Sequence, residues 1–167
     1  MSTPQKPRVL IVDDDAIFRK LLERHFTTKH WETVSAGGIS DGLAAYAKAP
    51  FDLVLVDYLL EDGNGHDFVQ GVRETDLDVP ILVVSGAFDI DALTGFVREA
   101  IDDVLPKPID FAKLEEVTLR LTRLGRERRR MRRRAVALLE ISRNLKVGGD
   151  SKELLSRFVR AVSEITP

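Results

Sequence analysis

The sequence predicts an α/β domain, a doubly wound parallel sheet carrying a C-terminal helical extension, and three observations lead there. Short, nearly continuous apolar runs recur: "RVLIV" (8–12), "LVLV" (53–56) and "ILVV" (81–84). Such runs mark strands covered on both faces, as the strands of a parallel sheet are. Helical apolar spacing fills the intervals, and strand and helix alternate five times, the pattern of right-handed βαβ crossovers. After Pro108 no proline interrupts the chain until Pro167, and a heptad-like pattern begins.

Each element has its own justification. The first strand, 8–12, is followed by Ile17, Leu21, Leu22 and Phe26 at helical spacing. "ETVSA" (32–36) is a weaker second strand, and Leu43, Ala44 and Ala47 form the face of the next helix. After the strand at 53–56 come Phe68, Val69 and Val72; after that at 81–84 come Leu93, Phe96 and Val97. "DVL" (103–105) is the fifth strand. Asp110 can then cap a helix opening "FAKLEEV". In it Leu114, Val117, Leu121, Leu124, Met131, Ala135, Leu138 and Leu145 follow steps of three and four, with Arg128 and Ser142 at two core positions of the seam. Gly125 is a weak spot, costing about 1 kcal/mol relative to alanine. "KVGGDSKE" reads as a stop and restart: a turn at 147–150, Asp150 as N-cap, Glu153 completing a capping box, and a second helix over 151–165. The expected organisation is a disordered tail (1–7), a main domain (8–124) and a helical extension (125–167).

Composition narrows the function classes. A hydrophobic content of 44% in 167 residues supports a packed core and excludes wholesale disorder. With no cysteine, disulfide frameworks and thiolate metal sites are excluded. No run approaches the length of a membrane span, and "MSTPQKPR" lacks a signal-peptide core, so a cytoplasmic protein without a membrane partner is expected. The net charge of −2 conceals a division. Residues 1–108 hold 10 lysines and arginines against 19 acids, net −9, whereas 109–167 hold 15 against 8, net +7.

The chemistry sits at the strand ends. Asp13, Asp14 and Asp15 follow the first strand directly, Asp57 ends the third, Ser85 the fourth, and Lys107 follows the fifth within "LPKP". Ligands of doubly wound sheets gather at this edge. Capping of the first helix accounts for Asp15 but not for three crowded carboxylates, which repel unless a cation is present. An all-oxygen donor set suits Mg²⁺ better than zinc. With charge so neutralised, a carboxylate at Asp57 can attack a phosphoryl group, Ser85 hydrogen-bonding one transferring oxygen and Lys107 pairing with another. The product would be an aspartyl phosphate.

"IVDDD", "DLVLVDYLLEDGNG", "ILVVSGA" and "DDVLPKP", in that order, resemble the successive signatures of the response-regulator receiver domain of two-component signalling, over residues 8 to about 124. The resemblance implies a flavodoxin-like sheet of order 2-1-3-4-5. It also implies that Asp13, Asp14 and the Leu59 carbonyl join Asp57 in holding Mg²⁺, that Asp57 accepts phosphate from a histidine kinase or phosphotransfer protein, that Ser85 and Lys107 assist, and that the Lys107–Pro108 bond is cis. Three positions depart from the family pattern. Val104 stands where an aromatic switch is usual, Glu61 where many members carry proline, and Ser85 where threonine is commoner. The chemistry at Asp57 survives these changes, but the aromatic switch does not, so a signal would travel by another surface.

The remaining motifs have bland readings. His25, His30 and His66 are scattered and receive no role, and Gly63 and Gly65 serve a turn, since no phosphate-cradle pattern accompanies them. "RERRRMRRR" (126–134) would attract phosphates, yet neither a helix-turn-helix partner nor interleaved aromatics accompany its seven arginines, which favours a solvated connector over a nucleic-acid site. The terminal segment resembles the helical lead-in to a GAF-type sensory domain. No GAF sheet follows within these residues, so the helices either lead into such a domain in a longer protein or are themselves the output module. The favoured function is a phosphorylatable receiver signalling through a homodimer of its C-terminal helices, catalysing only its own phosphorylation and dephosphorylation. The rivals are a non-switching receiver-like docking scaffold and a DNA-binding regulator using the arginine helix. That no histidine occurs after His66 to accept phosphate on the C-terminal helices argues against a transmitter kinase.

Overall fold

The structure, a computed structural model, describes residues 6–86 and 101–147, with side chains described through Ile141. The helix expected around Leu93, Phe96 and Val97, residues 1–5 of the tail, most of the 147–150 turn and the helix at 151–165 lie outside the described residues.

The elements run β1 (Arg8–Val12), α1 (Ala16–Thr28), β2 (Glu32–Ala36), α2 (Ile39–Tyr46), β3 (Leu53–Asp57), β4 (Leu59–Leu60), β5 (Gly63–Asn64), α3 (Gly65–Arg73), β6 (Ile81–Ser85), β7 (Asp103–Pro106) and α4 (Phe111–Val147). The main sheet is parallel, with strand order β2-β1-β3-β6-β7, and β4 pairs with β5 as a short antiparallel hairpin. Counting the five long strands alone, this is the flavodoxin-like order 2-1-3-4-5.

The continuous apolar runs are explained by two cores, one on each face of the sheet. Leu10, Val12, Val54, Val56, Ile81 and Val83 pack with Phe68, Val69 and Val72 of α3. Their neighbours Val9, Ile11, Leu53, Leu55, Leu82 and Val84 pack instead with Leu22 and Phe26 of α1 and with Leu114, Val117 and Leu121 of α4. Successive strand residues point to opposite faces, so a strand covered twice cannot afford a polar position. At the base of the sheet Asp102 accepts hydrogen bonds from the Ile81 N–H (2.8 Å) and from Arg73 (3.2 Å), fixing the approach to β7.

Three expectations are corrected. On α1, Ile17 is 82% exposed and Leu21 is also exposed; Leu22 and Phe26 are buried and Phe18 packs beside them. The stripe that meets the core is Phe18, Leu22 and Phe26, four residues apart, and Asp15 caps the helix, its carboxylate accepting from the Ile17 and Phe18 N–H groups at 2.8 and 3.1 Å. The heptad seam of α4 is divided: Leu114, Val117 and Leu121 belong to the core of their own chain, Leu124 packs against it, and Met131 and Leu138 are exposed. Gly125 is a close-approach residue rather than a weak spot, since a Cβ there would stand 2.7 Å from Pro80 Cδ and Cγ. Asp110 caps α4, accepting from the Ala112 N–H at 2.8 Å.

The chain divides into two compact units between Arg126 and Glu127. In the second, the described residues are those of α4, and among the described residues no helix is long and apolar enough to cross a membrane.

Candidate functional site

Strand register brings the site together. Val12 of β1 pairs with Val56 of β3, so the residues that follow, Asp13 and Asp57, leave the sheet side by side. Asp57 pairs with Val84 of β6, and Ser85 with Pro106 of β7, which delivers Lys107 to the same edge one residue later. The polar residues begin where the apolar runs end, and the parallel sheet places all those ends together.

Asp13 and Asp57 are buried, at 2% and 8% exposure, while Asp14 is half-buried. One oxygen from each of these three lies within 4.8 Å of the others. Lys107 Nζ donates to Asp13 Oδ2 at 2.8 Å and also to Asp57 Oδ2. Burial raises the Asp13 carboxyl above its ordinary range and the Asp57 charge adds to this, whereas Lys107 opposes it. For Lys107 burial disfavours the ammonium, but the hydrogen bonds and charges of Asp13 and Asp57 outweigh it, and its pKa is raised. The lysine is a fixed cation among crowded carboxylates. Three hard oxygen donors so close, one of them held against its own desolvation, fit a divalent cation such as Mg²⁺.

The remaining residues take defined places. Ser85 is buried at the end of β6, its carbonyl accepting from the Lys107 N–H at 2.7 Å. Leu59 is exposed, and its N–H donates to Asp57 Oδ1 at 3.3 Å. The Lys107–Pro108 peptide bond is cis. Val104 is half-buried in β7 against the α3-side core, and its own side chain carries no ring to rotate. Asp15 caps α1, and those backbone N–H groups hold its pKa below the usual carboxylate value. Glu61 is exposed. His66 lies in the first turn of α3, 3.2 Å from Gln70.

Sequence reasoning missed several supporting residues. Phe18 places its ring 4.4 Å from Lys107 Nζ, a cation–π contact beneath the lysine. Arg19 donates to the Asp13 carbonyl. Gly65 is required by close approach, because a Cβ there would lie 2.4 Å from the Asp57 carbonyl oxygen. The missed signals were faint: Phe18 and Arg19 look like ordinary first-turn residues, and Gly65 like any turn glycine.

Comparison with known proteins supplies the family. The profile described as "Response regulator receiver domain" matches residues 9–118. The chain is 36% identical over 123 residues to the transcriptional activator protein PfeR of Pseudomonas aeruginosa, covering 72% of this chain and 40% of that protein. It is 30% identical over 148 residues to the transcriptional regulatory protein TrcR of Mycobacterium tuberculosis, covering 88% and 56%. A response regulator receiver protein from Pseudomonas putida, known from its crystal structure, superposes with a TM-score of 0.66 at 26% identity, over 71% of this chain and 99% of that one. The chain thus spans less than two thirds of the length of these two curated relatives.

Proposed function

The chain belongs to the response regulator receiver domain family, and from that membership and its acidic pocket we propose that it accepts a phosphoryl group on Asp57 in a Mg²⁺-dependent reaction. The observation that carries this is the meeting of Asp13, Asp14 and Asp57 with Lys107 at one sheet edge.

In this reading Asp13, Asp14, Asp57 and the Leu59 carbonyl hold the cation, which when bound supplies charge neutralisation at the transferring oxygens. An Asp57 oxygen attacks phosphorus and the bond to the donor's nitrogen or oxygen breaks, the electron pair leaving with the donor. Lys107 already donates to Asp57 and turns its ammonium to a transferred oxygen as charge shifts there, while the Ser85 hydroxyl donates to another. Asp57 is the nucleophile because its carboxylate ends a fully buried strand and is held by the Leu59 N–H. The chain catalyses its own phosphorylation and dephosphorylation and acts on no separate substrate. Its phosphoryl source is a histidine kinase or phosphotransfer protein.

The output is assigned to the C-terminal extension that α4 enters. Met131, Ala135 and Leu138 line one side of α4 at heptad spacing and are exposed, a stripe that a second copy covers in a parallel coiled coil. A second reading, DNA contact through the arginines at 126–134, is favoured by the relatives, which are transcriptional regulators. With Val104 in place of an aromatic, phosphorylation acts through a surface other than a rotating ring.

Acetyl phosphate with Mg²⁺ is expected to add one phosphate per chain, read by intact mass, and Asp57→Asn to abolish it. Equal incorporation by the variant would place the acceptor elsewhere.

A further inference from the structure

The turn between β4 and β5 and the start of α2 are joined by a contact across 23 residues of sequence. Gly38 occupies the N-cap of α2, so the helix's own chain offers no side-chain oxygen to its first free N–H groups. Asp62 supplies it from the far side of the loop, its two carboxylate oxygens standing 3.1 and 2.8 Å from the Ile39 nitrogen. Glycine at position 38 makes room for this, because a Cβ there would lie 2.7 to 2.9 Å from the Asp62 carboxylate. The fit is reciprocal one residue on. Gly63 has φ +152°, and a Cβ on it would stand 2.7 Å from Ile39 Cδ1.

Both sides of the acidic pocket meet at this point. The β4–β5 hairpin carries Leu59, is closed at its base by the Gly65 N–H donating to the Tyr58 carbonyl at 2.8 Å, and is tied at its tip by Asp62. The β2–α2 turn is held on its other side to the first carboxylate loop. There the Asp13 N–H donates to the Ala36 carbonyl at 3.2 Å, and the Arg19 guanidinium that serves the Asp13 carbonyl lies 3.5 Å from where a Gly37 Cβ would be. The Gly37–Gly38 turn thus bridges the loop of Asp13 and Asp14 and the hairpin of Leu59.

We propose that Asp62 is a positioning residue for the cation-dependent reaction: by capping α2 from across the site it fixes the 58–64 turn, and with it the Leu59 carbonyl, relative to Asp13 and Asp14. This rests on the reading of the pocket given above. An oxygen ligand on a tethered turn loses little freedom when the ion binds, so cutting the tether weakens cation affinity rather than the phosphoryl chemistry itself.

The test is Mg²⁺ titration of the ¹⁵N-labelled full chain, followed at the Asp14 and Leu59 amides, for the parent, Asp62→Ala, Asp62→Asn, Gly38→Ala and the Gly38→Ala/Asp62→Ala double variant. Asp62→Ala is expected to raise the Mg²⁺ dissociation constant about fivefold, the range of a lost helix cap. Excess Mg²⁺ should restore its labelling by acetyl phosphate, and Asp62→Asn, which keeps one acceptor oxygen, should recover most of the affinity. Gly38→Ala should imitate Asp62→Ala, and the double variant should be no weaker than either single one, because all break one contact. An unchanged constant in Asp62→Ala, or single effects that multiply in the double variant, would overturn the positioning role while leaving the pocket's function intact. A parent chain with no Mg²⁺ response at those amides removes the pocket's function first, and the role of Asp62 with it.

Discussion

Gly125 shows how a single residue can satisfy two opposed demands. Helix propensity alone favours alanine there by about 1 kcal/mol. Contact opposes it: the Cβ would stand 2.7 Å from two ring carbons of Pro80 and 3.4 Å from the Asp78 carbonyl oxygen, and Pro80 is itself buried. Overpacking of this kind costs about 1–3 kcal/mol, so Gly125→Ala is expected to destabilise the fold by about 1 kcal/mol net. Urea unfolding checks it, and a rise in the midpoint would mean that α4 can move off Pro80 cheaply. The contact was not legible in sequence because Pro80 lies on a distant loop. Asp13, Asp14, Asp57 and Lys107 were legible, since each directly follows or ends an apolar run whose burial leaves the chain no earlier place for a charge.

Between elements, the seam of α1 with α4 holds His25, whose titration its surroundings shift. His25 of α1 lies 4.9 Å, centroid to centroid, from Phe111, and Lys29 donates to both oxygens of Glu115 at 2.8 and 2.9 Å. Burial, assisted by the Lys29 charge, pushes the His25 pKa below 6.5, and Glu115 opposes the shift only partly. The unfolded chain therefore takes up its proton at higher pH than the folded one. The contribution of neutral His25 is complete above about pH 6.5 and is lost as pH falls through the lowered value. His25→Gln is expected to flatten the dependence of unfolding free energy on pH between about 7 and 5.5; an unchanged slope would place its origin elsewhere. Strand boundaries were readable to within a residue or two because apolar runs and parallel-sheet burial coincide. The helix faces were less readable. Ile17 and Leu21 fit the 3.6 period but lie past the edge of what the sheet covers, and the α4 seam obeys one period while Leu114 and Met131 have different surroundings.

For the whole molecule, charge divides along the chain: residues 1–108 carry net −9 and hold the acidic cluster, whereas 109–167 carry net +7 and contain α4. Sedimentation is expected to show a dimer for the full chain and a monomer for a chain ending at Arg126, with acetyl phosphate still labelling the shorter form. Duplex DNA retained by the full chain, more weakly as salt rises, would assign the arginines to nucleic acid instead. The connector was readable as helix, but not for what covers it, because an exposed stripe encodes its partner only through that partner's surface.

The alternation of β3 between two cores carries a final consequence. Leu53 and Leu55 belong to one face, Val54 and Val56 to the other, and all five strand positions are buried. The strand therefore behaves as a ruler with a tick every residue. Removing one tick would exchange inside for outside at every position on one side of the deletion and draw Asp57 back from Lys107, so keeping this acidic cluster together requires that the spacing, and not merely the acid, be copied.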